Sequence, residues 1–245
     1  RYKMSKQIIN PNDVKKLYNG MENIWPIDDK WYQYTYKRIQ GYLKFWESKL
    51  AFNESTLILN AGSGGNTYEI KGTHTHLDIS EKHLEGIKDA IIASIEDIPI
   101  QDNYFDVCIC VGSVINYCNA VSAISEFNRI LKKGGYLILD FDQSRNYEFV
   151  GTDTYNSNLD IIETFNSGYV DKIWVYSEKY IANTLQHYKF SIINKEYYHT
   201  MSSLMYRWVH DEQKAAKYVN FDKLIKWIPH IRKISNNIIL IAKKI

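Results

Sequence analysis

The residues best suited to chemistry lie between positions 56 and 79. Leu57, Ile58 and Leu59 form a short apolar run of the kind a buried parallel strand needs. The run continues through Asn60 and Ala61 into Gly62-Ser63-Gly64-Gly65. Glycine there permits a tight turn and lets main chain approach a ligand that a Cβ would block. A second short strand, Thr75 to Leu77, ends on Asp78, where a carboxylate can accept both hydroxyls of a ribose. A glycine turn after one strand and an acid after the next is an arrangement for holding a nucleoside at a sheet edge. Asn66 breaks the dinucleotide spacing Gly-x-Gly-x-x-Gly, and no Gly-Lys-Ser/Thr follows, so phosphate cradling is the poorer reading.

Other reactive residue types are scattered. His74 and His76 form a His-x-His, but no acid or cysteine stands at metal-ligand spacing, so no metal is expected. Cys108 and Cys110 alternate onto one strand face and read as packing. Asn116 and Tyr117 follow the fourth strand, where an acceptor would sit, and are the first catalytic candidates. His199, at the end of a later strand, is the weakest candidate for a general base. Trp25, Trp31, Tyr34 and Arg38 are candidates for a ligand-facing cap.

These residues need elements to position them. A short helix is expected near 12–21. Tyr32, Tyr36, Ile39, Leu43, Trp46 and Leu50 recur at steps of four and three, one face of a long helix. Only about a dozen residues separate Asn66 from Asp78, room for barely two helical turns. Ser80 is placed to cap a short helix running to Lys88. Ala90–Ala93 and Val107–Val111 read as strands. Ala120, Ile124, Phe127 and Leu131 mark an amphipathic helix, closed by Lys132, Lys133 and Gly134, and Tyr136–Phe141 the next strand. Strands alternating with helices predict an α/β parallel sheet covered on both faces. Farther on, Asn166-Ser167-Gly168 reads as a hairpin turn between two strands, 178–188 as helix, 190–198 as strand, 211–231 as a lysine-rich helix and 238–242 as a last strand.

Bulk properties agree with one α/β domain. The 245 residues are 45% hydrophobic and 24% charged, and the net charge of +2 gives no global drive toward nucleic acid or acidic membrane. No apolar run approaches a membrane span or a signal-peptide core. Three cysteines, two of them in an expected buried strand, fit reduced thiols and a cytoplasmic setting.

The order of these pieces resembles the class I S-adenosylmethionine-dependent methyltransferases over roughly residues 30–245. Leu-Asn-Ala-Gly-Ser-Gly-Gly is similar to the family's first motif, and Leu77-Asp78-Ile79-Ser80 to its second. Ser94-Ile95-Glu96-Asp97-Ile98-Pro99, followed by Asp102-Asn103-Tyr104-Phe105-Asp106-Val107, is similar to the third- and fourth-strand signature. Phe127 to Gly135 is similar to the run before the fifth strand, and Ile238 to Lys244 to the last strand. The resemblance implies a Rossmann-like seven-stranded, mostly parallel sheet with helices on both faces and the last strand antiparallel. It divides the chain into an N-terminal helical cap, 1–52, and a methyltransferase domain, 53–245, with a hairpin-type insertion near 151–176.

The resemblance also implies S-adenosylmethionine as cofactor. Main chain at Asn60, Ala61, Gly62 and Gly64 would approach its methionine part, Asp78 would hold the ribose and Ile79 would pack on the adenine. Ser94 and Ile95 would meet the adenine edge, and Val111, Gly112 and Ser113 would line the pocket floor. The family usually has an acid at Asn60 and often an aspartate at Ser94, and its crossing after the first strand is longer. The expected activity is methyl transfer to an O or N atom of a small-molecule acceptor. Specificity is expected in 144–176 and 199–211. An RNA acceptor is the alternative, resting on Lys214, Lys217, Lys223, Lys226, Arg232 and Lys233. A non-catalytic partner subunit is the third reading. Aminopropyl transfer is set aside because no acidic pair is evident beyond the fourth strand.

Overall fold

A computed structural model describes residues 9–166, 169–225 and 227–245. Asn10 caps α1 (Pro11–Gly20), whose first position is a proline that has no N–H to leave unpaired. Asp29 caps α2 (Lys30–Leu50) by accepting from the N–H groups of Trp31 and Tyr32. The strands that follow are β1 (Leu57–Ala61), β2 (Thr73–Asp78), β3 (Ala90–Ile92) and β4 (Phe105–Cys110). Helix α3 (Ala120–Ile130) leads into β5 (Leu131–Asp142). A hairpin of β6 (Leu159–Asn166) and β7 (Tyr169–Tyr176) comes next. The chain then makes α4 (Glu178–His187), β8 (Phe190–Tyr198), α5 (Thr200–Val209) and β9 (Asn237–Lys244).

Seven strands form one sheet in the order β3-β2-β1-β4-β5-β9-β8. Strand β9 runs antiparallel to both its neighbours and every other pairing is parallel, as expected. The order reverses between β1 and β4, and a crevice opens beyond the carboxyl ends of strands at such a switch point. Two apolar cores flank the sheet. One packs α3 and α4, through Ile124, Phe127, Ile181 and Leu185, on Leu59, Cys108, Leu137 and Leu139. The other packs Ile39, Tyr42 and Leu43 of α2 on Ile58, Val107, Ile109, Ile138 and Ile239. Most of α2 therefore lies on the sheet, and only its first turns reach the crevice.

Four sequence expectations need correction. Between Asn66 and Asp78 there is no helix at all: the crossing is irregular chain until β2 begins. It packs Tyr68 and Ile70 into the second core, and its backbone is satisfied by side chains of α2. Gln40 Oε1 accepts from Glu69 N–H at 3.0 Å and Glu47 Oε1 from Lys71 N–H at 3.0 Å. The helix expected after Ser80 is one 3₁₀ turn, Lys82–Leu84, ended by Gly86 at φ +76°. Helix α3 stops at Ile130, because Leu131 is already extended and paired with Phe105, and Lys132 forms an ion pair with Asp106. The lysine-rich helix is a series of short turns, Glu212–Ala215, Ala216–Phe221, Asp222–Ile225 and Pro229–Arg232. Asp222 is drawn to the start of α5, where it accepts from Thr200 and Met201 N–H. Ser167, Gly168 and Lys226 lie outside the described residues.

One buried acid makes stability depend on pH. Asp140 on β5 is fully buried, receives a hydrogen bond from Tyr198 Oη, and among the described residues has no partner for Oδ1. Burial pushes its carboxyl up to about 8, against about 4 in an unfolded chain. The native state therefore keeps a proton that the unfolded state releases, and this group's stabilisation is lost as pH rises from 4 through 8. Asp140→Asn removes that loss. We expect the fall in unfolding free energy between pH 5 and 8 to shrink by up to about 4 kcal/mol. Urea titrations at the two pH values measure it, and an unchanged fall in the variant refutes it.

Candidate active site

The crevice at the switch point holds a cavity of about 230 Å³. A single water needs roughly 10–15 Å³ on the same measure, so the space is that of an organic molecule. Its first end is built by the loop after β1. Gly62 and Gly64 have φ of +71° and +51°, and Gly62 and Ser63 donate their N–H to Leu77 O, folding the turn back onto β2. A Cβ on Gly62 would lie 2.3 Å from Val114 Cγ1, so main chain and the β4 loop close tightly here.

Asp78 locks that turn. Its Oδ2 accepts from Gly64 N–H at 2.7 Å and its Oδ1 from Ser80 N–H at 2.8 Å, while the side chain lines the cavity. Burial raises its carboxyl above the ordinary range, and the two N–H donors oppose that shift. Each oxygen keeps a further lone pair for a ligand hydroxyl. Ile79, Ser94, Ile95, Val111, Gly112 and Ser113 line the same end. Ser94 Oγ is engaged by Glu96 N–H at 3.1 Å. The Trp25 ring lies against Gly112, with Cζ2 3.2 Å from where a Cβ would stand.

Of the eleven residues expected to hold a cofactor, nine thus line one cavity. Asn60 and Ala61 do not. Both are buried within β1, and Asn60 spends its Nδ2 on Asn66 O at 2.7 Å, which pins the irregular crossing. The departure from the usual acid at position 60 therefore serves the loop.

The three catalytic candidates separate. Tyr117 lines the cavity, its ring edge-on to Tyr18 at 5.5 Å, and burial raises its hydroxyl well above the ordinary phenol, so it stays a proton donor. Asn116 also borders the cavity but is consumed as a strut: Nδ2 donates to Asp142 O and Trp174 O, and Oδ1 accepts from Asp142 N–H. His199 is corrected outright. It is fully buried outside the cavity lining, stacked on Trp31 at 3.9 Å, with Thr35 Oγ1 and Ser202 Oγ each 2.8 Å from its ring nitrogens. Burial lowers its pKa well below the ordinary value.

Of the cap candidates, Trp25 and Trp31 line the cavity; Tyr34 lies beside Asp222 and Arg38 pairs with Glu196. His74 and His76 bond to Ile70 O and Thr67 Oγ1 of the crossing. Cys108 and Cys110 are buried thiols whose pKa burial raises.

The second end of the cavity was not foreseen. Asp142, Glu148 and Glu212 line it, from the end of β5, the 3₁₀ turn Tyr147–Phe149 and the first turn after α5. Asp142 Oδ1 accepts from Ser113 Oγ at 2.6 Å and from Asn237 Nδ2. Arg207 of α5 positions the Glu148 turn by donating to Tyr147 O and Val150 O. Burial raises Asp142 to about 6 and Glu148 and Glu212 to about 7. Acids do meet beyond the fourth strand. Asp142 had a sequence signal, an acid at the carboxyl end of a central strand; the other two are visible only in space.

The comparisons bear on this geometry directly. Residues 57–139, from the start of β1 into β5, match the family model of a methyltransferase domain. Residues 57–139 carry a methyltransferase domain, set on a Rossmann-like, mostly parallel sheet. The uncharacterized protein MJ0638 of Methanocaldococcus jannaschii is 33% identical over 135 residues, which is 53% of this chain and 53% of that relative. The match spans about half the length of the curated relatives. Among solved structures, the 4+2 cyclase SpnF is similar with a TM-score of 0.62 and 16% identity over 97% of each chain. Geranyl diphosphate C-methyltransferase from Streptomyces coelicolor A3(2), solved with S-adenosyl-L-homocysteine, has a TM-score of 0.60 at 10% identity, covering 96% of this chain and 97% of its own. Identities this low establish the fold of the methyltransferase domain and leave the reaction to the site.

Proposed function

We propose that this protein is an S-adenosylmethionine-dependent methyltransferase that moves a methyl group to an O or N atom of a small-molecule acceptor. The observation that carries the reading is one cavity lined both by Asp78 and the glycine turn and by Tyr117, Asp142, Glu148 and Glu212. The donor set fits the cofactor: a carboxylate for ribose hydroxyls, Ile79 and Ile95 as apolar neighbours of a base, and glycine main chain beside them. When bound, S-adenosylmethionine supplies a methyl group activated by its sulfonium.

The chain's own part is alignment and exclusion of water. Trp25 over Gly112, with Tyr18, Trp31 and Tyr32, walls the cavity, and Tyr117, whose hydroxyl interacts with Tyr18 and Asp171, borders the space for an acceptor. Such a displacement needs a base only where the acceptor must lose a proton early, and Asp142, Glu148 and Glu212 are the residues placed to take one. None of the described lysines that motivate an RNA acceptor lines the cavity. Among the described residues no helix is long and apolar enough to cross a membrane.

Calorimetric titration of the full chain with S-adenosylhomocysteine tests the reading. We expect saturable one-to-one binding and a raised melting temperature. The absence of both binding heat and thermal shift at millimolar ligand would overturn it.

A further inference from the structure

We propose that the acceptor is an organic amine that binds as its ammonium at the second end of the cavity, among the carboxylates of Asp142, Glu148 and Glu212 beside the Trp31 and Tyr32 rings, and releases one proton to a carboxylate there so that its nitrogen lone pair is free to take the methyl group. The inference rests on the methyltransferase reading of the same cavity and names its substrate class.

Three acids from three separate elements, Asp142, Glu148 and Glu212, line the cavity in addition to Asp78 and Glu96. Among the described residues no lysine or arginine is paired with any of them. The charges acting on Glu148 and Glu212 are other carboxylates, including Asp142. Hydrogen bonds reach Oδ1 of Asp142 and Oε1 of Glu148, and among the described residues none reaches the Glu212 carboxylate. Unpaired carboxylates in a low-dielectric space call for a cation or for protons, and their raised pKa values record the second state.

Gln143 is an independent sign. It is 1% exposed and lines the same cavity. Its Nε2 is fixed by Lys233 O and by Ser235, which settles the amide orientation, and among the described residues its Oε1 has no partner. This end therefore offers acceptors that want donors. An ammonium is all donor and no acceptor. Trp and Tyr rings attract the same charge through their π systems, most strongly where water is excluded. Among the described residues no three His, Cys, Asp or Glu side chains converge on one point as metal ligands do, so the three carboxylates border the amine's space from separate sides.

The test is a melting-temperature and calorimetric screen on the full chain saturated with S-adenosylhomocysteine. The probes are primary amines and the alcohols and carboxylic acids of the same carbon skeletons. We expect binding among the amines alone. We also expect at least a tenfold loss of amine affinity in Glu148→Gln and in Glu212→Gln, with S-adenosylhomocysteine affinity unchanged. Hits confined to alcohols or acids, or no amine binding to a chain that does bind S-adenosylhomocysteine, would overturn the proposal and leave the methyltransferase reading standing. So would a fall in S-adenosylhomocysteine affinity in the two variants, since the acids would then be serving the cofactor. Failure of S-adenosylhomocysteine to bind the native chain would remove the parent reading and this one with it.

Discussion

Asp78→Ala should weaken S-adenosylhomocysteine binding by a factor of 100 or more and destabilise the fold at the same time. The first effect follows from the proposed role. A carboxylate on the cavity wall keeps one lone pair on each oxygen beyond those used by Gly64 and Ser80, and a ribose can use both. A hundredfold loss corresponds to about 2.7 kcal/mol, within the range of a pair of charge-assisted hydrogen bonds. The second effect is independent of ligand. Alanine leaves two N–H groups without their acceptor, and a buried donor without a partner costs about 1–3 kcal/mol. Asp78→Asn separates the contributions, since its amide oxygen still accepts from one of the two N–H groups while its NH₂ can accept from neither. It should recover part of the stability and little of the affinity. Calorimetry and urea unfolding on the same preparations read both, and full affinity in the alanine variant would exclude Asp78 from the nucleoside site.

Asn116→Ala is the second large effect, and it falls on stability before chemistry. The side chain joins the loop after β4 to the main chain of β5 and β7, by two bonds to Asp142 and one of 2.6 Å to Trp174 O. Its removal strands three backbone groups in a position that is fully buried. At about 1 kcal/mol or more for each, the loss should reach roughly 3–4 kcal/mol. Hairpin β6–β7 is tied to the sheet through this side chain and through the Gln143–Tyr176 bridge, so local protection from hydrogen exchange should fall first in 169–176. A variant as stable as the native chain but inactive would reverse the assignment and return Asn116 to the acceptor.

The fold was largely legible because its signals are local. Apolar runs of three to six residues and the 3.6-residue period of α2 and α3 are set by neighbouring residues. The glycine turn and Asp78 were legible for the same reason: positive φ and a strand-end acid leave traces in residue type. Where the reading failed, a distant partner had overridden a local preference. The crossing after Asn66 needs no helix because Gln40 and Glu47 supply its hydrogen bonds from α2. The 211–231 helix breaks because Asp222 is required at the start of α5.

The same division holds at the site. Sequence by itself determined the end built by the glycine turn and Asp78, since one strand-turn-strand segment makes it. Only the tertiary structure decided the acidic end. Asp142, Glu148 and Glu212 are drawn together by the strand order, by the hairpin that follows β5 and by Arg207 holding the Glu148 turn, across 70 positions of chain. His199 shows the converse: an ionisable residue at a strand end looks available in one dimension, and is sealed by Trp31 and Thr35 in three. Burial and charge are properties of neighbours in space, and no spacing along the chain encodes them.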